Sequence, residues 1–553
     1  MKARQVLIHD QYDVVVVGGG IYGAAHAWEA ASRGLSVILL EKGDFGSATS
    51  ANSLKVIHGG IRYLQTLNIK RVLDSKRERD TYMRIAPHLV QPMECIMPSY
   101  PWTAKGKLAT AVGALLYNLL SRYDDWVSKT DSKGLEARRV SRVYIGDNIS
   151  AHAQHKTNGG TQWYDAQVYD SERMVLSFIM SAKARGAHVY NYMAVSGLVL
   201  NQGRVEGVSA SDLLSGGPVT VNANFVIDAT GPWSKLNHHK WLPDGTAQGE
   251  FAKAVNLVYP FEVSNKAFGA KVQSSSGTGP LSSRLLFSAP WKGSSMVGTW
   301  YFPAEDPEKD NALTQAQLDV CVEDVVTLCS LEKDLAIKPS HVHIGLVPVK
   351  KRFKENVFPM LSEETITTDH KKVSGLEGLV SVFGVKYTTA RSVAEKTIDL
   401  VEVRSGKCGP ASVSRYTPLY GGEIKNFSAF QNYQQEKLSG LVDKAVIENM
   451  TRHYGTNIDR IMSYVDKDEA MKERIPGTPC SIKAEVLYVL EHEMVVKLTD
   501  LMVRRLGIGG LGQPSESAIE YCAGVMADAL SWNASEKQSN IDELRDYYRR
   551  VPS

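Results

Sequence analysis

The chain has 553 residues, with 63 Lys and Arg against 60 Asp and Glu, a formal charge of +3, and 43% hydrophobic and 22% charged residues. That length leaves room for two or three domains, each with its own core, and the composition is ordinary for a soluble globular protein. So small a charge speaks against nucleic acid as a partner. Residues 1–13 lack the apolar stretch of a secretory signal. No segment offers about twenty uninterrupted apolar residues, so a cytoplasmic protein without a bilayer-spanning helix is expected. Cys95, Cys321, Cys329, Cys408, Cys480 and Cys522 form no C-x-x-C pair and stand too far apart for a zinc motif, so reduced thiols are expected.

The first element is an apolar run, Val14, Val15, Val16 and Val17, which predicts a buried parallel strand. Gly18, Gly20 and Gly23 follow in G-x-G-x-x-G spacing and open an alanine-rich helix. The first glycine allows a tight turn, and the second lets backbone approach a pyrophosphate. The third lets the helix pack on the strand with its N-terminal amides facing phosphate. A second strand over 36–40 ends at Glu41, followed by Lys42, at the distance where a carboxylate accepts from a ribose hydroxyl. This unit binds a dinucleotide but does not by itself separate NAD from FAD.

Small and hydroxyl residues come next, with Thr49, Ser50 and Ser53 among them, leading to His58-Gly59-Gly60-Ile61-Arg62-Tyr63. The stretch 108–120 is apolar nearly all round and flanked by Lys105, Lys107 and Arg122. It is too short to span a bilayer; a buried helix is expected, with a helix lying in a membrane interface as the alternative. Residues 189–208 alternate in short runs broken by Asn201-Gln202-Gly203, a hairpin signal. Residues 225–233 form an apolar strand ending in Ala229-Thr230-Gly231. Short strands over 254–259, 283–288, 295–301 and 342–349, divided by polar loops such as Ser274-Ser275-Ser276-Gly277, predict an antiparallel sheet. Near Gly384 a glycine turn leads through Val385 and Lys386 to Thr388, Thr389 and a helix. Beyond Gly409-Pro410 the pattern is helical, and 484–506 has helical spacing that stops at Gly507.

The glycine unit, the His58 to Tyr63 block, the Ala-Thr-Gly strand and the Gly384 block, in this order, resemble the FAD-dependent glycerol-3-phosphate dehydrogenase family. That family lies within the D-amino-acid oxidase-like flavoproteins, and Glu485-Val486 and His492-Glu493 also sit as in it. The resemblance implies an α/β fold with a Rossmann-like FAD-binding domain over 1–250 plus 351–410. An antiparallel β substrate-binding domain over 251–350 and a C-terminal helical domain over 411–553 complete it. It implies non-covalent FAD, held by Gly18, Gly20, Gly23, Glu41, Lys42, Thr49, Ser50, Ser53, His58, Gly59, Gly60, Thr230, Gly231, Gly384, Lys386, Thr388 and Thr389. The implied reaction oxidises a small-molecule secondary alcohol to a ketone by hydride transfer to flavin, with oxygen or a quinone as electron acceptor. His58 is the candidate base or a polar contact to the flavin, and Arg62 contacts substrate oxygens. Lys386 stabilises reduced flavin or binds a substrate hydroxyl. The family's membrane-associated members place apolar helical residues near 108–120, so peripheral membrane contact is the further implication.

Three places depart from the family. Gly345-Leu346-Val347-Pro348-Val349 replaces Gly-Val-Arg-Pro-Leu, losing an arginine suited to clamp phosphate. Lys253-Ala254-Val255-Asn256 replaces Lys-Gly-Ser-His, and an amide cannot act as a base at neutral pH. Gly298-Thr299-Trp300-Tyr301 replaces Gly-Thr-Thr-Asp. These changes point to a polyol, sugar-like compound or polyol ester as substrate. The alternatives are glycerol 3-phosphate itself, held by Arg62, Lys386 and the cluster Lys350, Lys351 and Arg352, or an amine or amino-acid substrate; a flavin-binding protein without turnover is a remoter one. His341, His343 and Val347 share a strand face by the two-residue period, so His343 is a second candidate base. No metal is expected. His492-Glu493 lacks a second histidine four residues on, and His152 and His155 have no carboxylate or cysteine nearby.

Overall fold

A computed structural model describes residues 8–549 apart from 100–106, 129–133, 150–156, 243–249, 274–282, 305, 307–308, 330–337, 350–360, 363–364 and 408. The predicted loop 274–277, His152, His155 and the cluster Lys350, Lys351 and Arg352 lie outside the described residues.

The valine run lies in the middle of the first sheet, because a strand apolar on both faces must be covered on both. In spatial order that sheet runs Ile366–Asp369, Leu379–Phe383, Pro218–Asp228, Tyr12–Val17, Val37–Leu40 and His188–Tyr190. All neighbours are parallel except the edge strand Ile366–Asp369. The three strands read from distant stretches of sequence are thus side by side. Met193–Asn201 and Arg204–Asp212 form the predicted hairpin and pair onto Pro218–Asp228. Helices Ile21–Ser32, Ser171–Ala184 and Ala390–Arg404 share a core with this sheet, with Trp28, Phe178 and Ile398 fully buried in it.

The second sheet runs His341–Val349, Glu250–Tyr259, Ser294–Ala304, Ser283–Trp291, Ala267–Gln273, Val90–Pro98, Gly160–Val168 and Val56–Ile57. It is antiparallel apart from the short pairing of Ala267–Gln273 with Val90–Pro98. The division expected at residue 251 therefore does not follow the sheets. Strands from 56–57, 90–98 and 160–168 extend the second sheet, through pairings that leave no trace in local periodicity. Helices between Phe427 and Tyr548 enclose a separate core that includes Met450, Ile461, Val486, Leu501 and Met526. The segment read as one helix over 484–506 is two, Lys483–His492 and the π-helical Asp500–Arg505.

Helix Lys107–Ser128 corrects the expectation of a buried apolar helix. Val112, Leu115, Leu119, Tyr123 and Trp126 recur every three or four residues and so share one face. That face is exposed, Leu115 at 61% and Trp126 at 79%. Ala114 and Tyr117 pack inward, and Asp124 and Asp125 accept from Arg77 and Lys76. Among the described residues no helix is long and apolar enough to cross a membrane.

Candidate active site

A cavity of about 1100 Å³ is lined from both sheets and from the C-terminal domain. Its floor is the glycine turn. Gly18 has φ +102°, and a Cβ there would lie 2.7 Å from the Ala229 carbonyl oxygen, so only glycine lets the first strand and the Ala-Thr-Gly strand meet. Gly20 lines the cavity, whereas Gly23 lies behind it and packs the helix against the turn. Ser50 Oγ accepts from the Ile21 amide at 2.9 Å, which satisfies one open donor at the helix start. Glu41 accepts from the amides of Gly19 at 2.6 Å and Gly43 at 2.8 Å. Burial pushes its carboxyl above the ordinary range, against the pull of these two donors.

Most of the predicted cofactor residues meet in this cavity. Lys42 lies 4.5 Å from the Trp233 ring centroid, and Thr230 and Gly231 stand beside them. Thr49 Oγ1 exchanges hydrogen bonds with Leu346, donating to its carbonyl at 3.2 Å and accepting from its amide at 3.0 Å. This ties the glycine side to strand His341–Val349 of the second sheet. Ser53, Gly60, Gly384, Lys386 and Thr388 also line the cavity. Gly59 and Thr389 do not. The Gly59 amide donates to Asp165 at 2.7 Å, and Thr389 Oγ1 lies 3.2 Å from the Tyr22 hydroxyl beneath the wall.

A groove lined by backbone, opening on a helix N-terminus and ending at the half-buried Glu41 carboxylate, fits a dinucleotide. None of the described cysteines lines it, so its wall offers no thiol for a covalent link.

His58 sits beyond the groove with a partner that sequence reasoning missed. Its Nδ1 lies 2.9 Å from Asp165 Oδ2, while its side chain remains 45% exposed into the cavity. Burial raises the Asp165 carboxyl, but the His58 contact, the Gly59 amide and the Arg79 charge together outweigh it and hold it below its ordinary value. An ionised Asp165 assigns the proton to Nδ1 and leaves Nε2 as an acceptor facing the cavity. No local signal marks Asp165, since 107 residues separate the pair.

Arg62 and Lys386 line the same cavity, and Lys386 Nζ lies 4.3 Å from the Tyr63 ring centroid and donates to its hydroxyl. Asn256, Thr299, Tyr301 and Val347 close the opposite side. Thr299 donates to Asn256 Oδ1 at 2.8 Å. Burial raises the Tyr301 phenol, and the Arg62 charge acts against it.

His343 is the one candidate catalytic residue that the structure moves away. His341 and His343 do share a face, with ring centroids 4.6 Å apart. At this end of the strand the face turns toward Trp291, 6.0 Å from His343, and toward Tyr547, 5.9 Å from His341. Val347 reaches the cavity and His343 does not.

Fold and site together define a flavin-dependent oxidoreductase. The chain belongs to the FAD dependent oxidoreductase family, whose model matches residues 13–397, and residues 412–537 match the C-terminal domain of alpha-glycerophosphate oxidase. Its cofactor is FAD, and it is similar to glycerol-3-phosphate dehydrogenases. A glycerol-3-phosphate dehydrogenase of Synechocystis sp. is 28% identical, over 97% of this chain and 96% of its own length. An aerobic glycerol-3-phosphate dehydrogenase of Bacillus subtilis is 26% identical over 96% and 94%. The structure of the glycerol-3-phosphate dehydrogenase from Bacillus halodurans complexed with FAD shares the fold. Its TM-score is 0.73 at 24% identity, over 98% of this chain and 95% of that one.

Proposed function

We propose that the protein oxidises the secondary alcohol of glycerol 3-phosphate to the ketone, with Arg62 and Lys386 taking the phosphate and His58 taking the hydroxyl proton. The observation that carries this reading is the presence of two cations on the wall of the cavity that holds the carboxylate-oriented histidine. The names of the relatives point the same way. Bound FAD supplies the acceptor for the hydride that leaves the substrate carbon. Asp165 keeps Nδ1 of His58 protonated, so Nε2 accepts the proton and the carboxylate stabilises the imidazolium that results. At the start of helix Ala390–Arg404, Thr388 lines the cavity and would offer its hydroxyl to a carbonyl oxygen of the flavin ring.

The test is anaerobic bleaching of the flavin by a substrate panel. Glycerol 3-phosphate should bleach it promptly. Arg62→Met should raise the concentration for half-maximal bleaching roughly tenfold to a hundredfold, the worth of one charge-assisted contact.

Val347 and Asn256 favour a second reading, since neither can clamp phosphate or act as a base at neutral pH. In it the substrate is an uncharged polyol, a sugar-like compound or a polyol ester. Bleaching by such compounds, with glycerol 3-phosphate weak until Val347→Arg restores a guanidinium, would put this reading first.

The outward stripe of helix Lys107–Ser128 supports a peripheral seat on a membrane, with a quinone as the electron acceptor. Cosedimentation with anionic phospholipid vesicles is expected for the wild type and should be lost in the double variant Leu115→Glu, Leu119→Glu. Equal sedimentation of both would remove the helix from this role.

A further inference from the structure

A buried ionic cluster joins the C-terminal domain to the cofactor side, and the substrate chemistry above makes no use of it. Its centre is Asp44, 2% exposed, three residues beyond Glu41. Asp44 accepts from Arg505 through both oxygens, at 2.7 and 2.8 Å, and from Arg504 Nε at 2.6 Å. These partners lie 460 and 461 residues further along the chain. Burial raises the Asp44 carboxyl, but the two guanidinium groups overcome that and hold it well below the carboxylate range.

The cluster reaches the same loop by a second path. Arg504 also donates to Asp500, and Asp500 accepts from the Tyr192 hydroxyl at 2.8 Å and from the Lys497 amide at 2.9 Å. The Tyr192 amide in turn donates to the Gly43 carbonyl at 2.9 Å, and the Met193 amide to the Glu41 carbonyl at 2.8 Å. Both paths converge on residues 41–44, the loop that carries the ribose carboxylate. Lys497, Thr499 and Arg504 then continue as the wall of the cavity at that end, next to Lys42 and Tyr192. The π-helical Asp500–Arg505 turn is what aims Asp500, Arg504 and Arg505 at one place, as such turns often do at functional sites.

We infer that the C-terminal domain is a cofactor lock: Arg504 and Arg505 hold the 41–44 loop in the shape that binds the adenosine end of FAD, so the rate of FAD release is set by this interface. A buried carboxylate that loses the two-pronged Arg505 contact keeps only Arg504 as a cation and is under-compensated, so the loop must move to hydrate it. Glu41 moves with it. This inference depends on FAD binding alone and is indifferent to the identity of the substrate.

The experiment follows flavin fluorescence after dilution of holoenzyme, beside the thermal melting of each protein. Arg505→Met should speed FAD release by about tenfold or more. Tyr192→Phe removes one hydroxyl without threatening the fold and should speed it roughly threefold, the worth of a single hydrogen bond. Arg173→Met is the control, because Arg173 joins the same two domains through Glu493 but does not line the cavity. It should lower the melting temperature and leave release within about twofold of wild type. Release unchanged in Tyr192→Phe, or accelerated as much by Arg173→Met as by Arg505→Met, would overturn the lock. If Arg505→Met does not fold, the Tyr192→Phe and Arg173→Met pair decides alone.

Discussion

Replacing His58 with asparagine is expected to slow anaerobic reduction of the flavin by about a hundredfold or more, with the flavin still bound. The expectation follows from how the imidazole is held. Asp165 is buried and accepts from both the His58 ring and the Gly59 amide, so one carboxylate fixes the ring nitrogen that carries the proton and the turn that carries the ring. What is left toward the cavity is a single basic nitrogen. Asparagine keeps the size and one polar contact to Asp165 but offers no atom that can take a proton at neutral pH. Asp165→Asn is expected to give a smaller loss, about tenfold, because the ring keeps a hydrogen-bond acceptor but loses the charge that stabilises its protonated form. Stopped-flow absorbance at the flavin band measures both. A His58→Asn protein reduced within about threefold of the wild-type rate would take the base role from His58.

Features fixed by local spacing could be read from the chain. The valine run, the three glycines and Glu41 act within thirty residues of one another, and the turn that they form needs no distant partner to be specified. The same holds for the hairpin through Asn201-Gln202-Gly203. Asp165 could not be read, because strand Gly160–Val168 meets the His58 turn only through a sheet assembled from distant strands. Arg504 and Arg505 were hidden for the same reason, on a turn that periodicity assigns to an ordinary helix. Helix Lys107–Ser128 shows a different limit. An apolar stripe at helical spacing reads the same whether protein or solvent lies over it, and only the packed neighbours decide. His343 shows a third limit. The two-residue period correctly puts it on one face with His341, but a twisted strand does not present one face to one place along its whole length.

Gly23→Val is expected to yield folded protein that purifies without flavin. A Cβ at Gly23 would lie 1.8 Å from the Gly18 carbonyl oxygen and 3.0 Å from its carbonyl carbon, with Val16 Cγ1 3.4 Å away. The first of these contacts is against backbone, which cannot rotate aside as a side chain can. The helix Ile21–Ser32 must therefore lift away from the strand at its N-terminus, and the amides there leave the position where they can face a pyrophosphate. Gly20 provides the graded comparison. A Cβ at that position meets only Ser50 Oγ, at 3.2 Å, and projects where the backbone lines the cavity. Gly20→Ala should thus retain part of its flavin, with weakened affinity, where Gly23→Val retains none. The flavin-to-protein absorbance ratio after gel filtration, with far-UV circular dichroism to establish folding, separates the two. A Gly23→Val protein that folds and carries close to one flavin per chain would mean that the pyrophosphate does not rest on this helix, and the cavity would then have to hold its cofactor by other contacts.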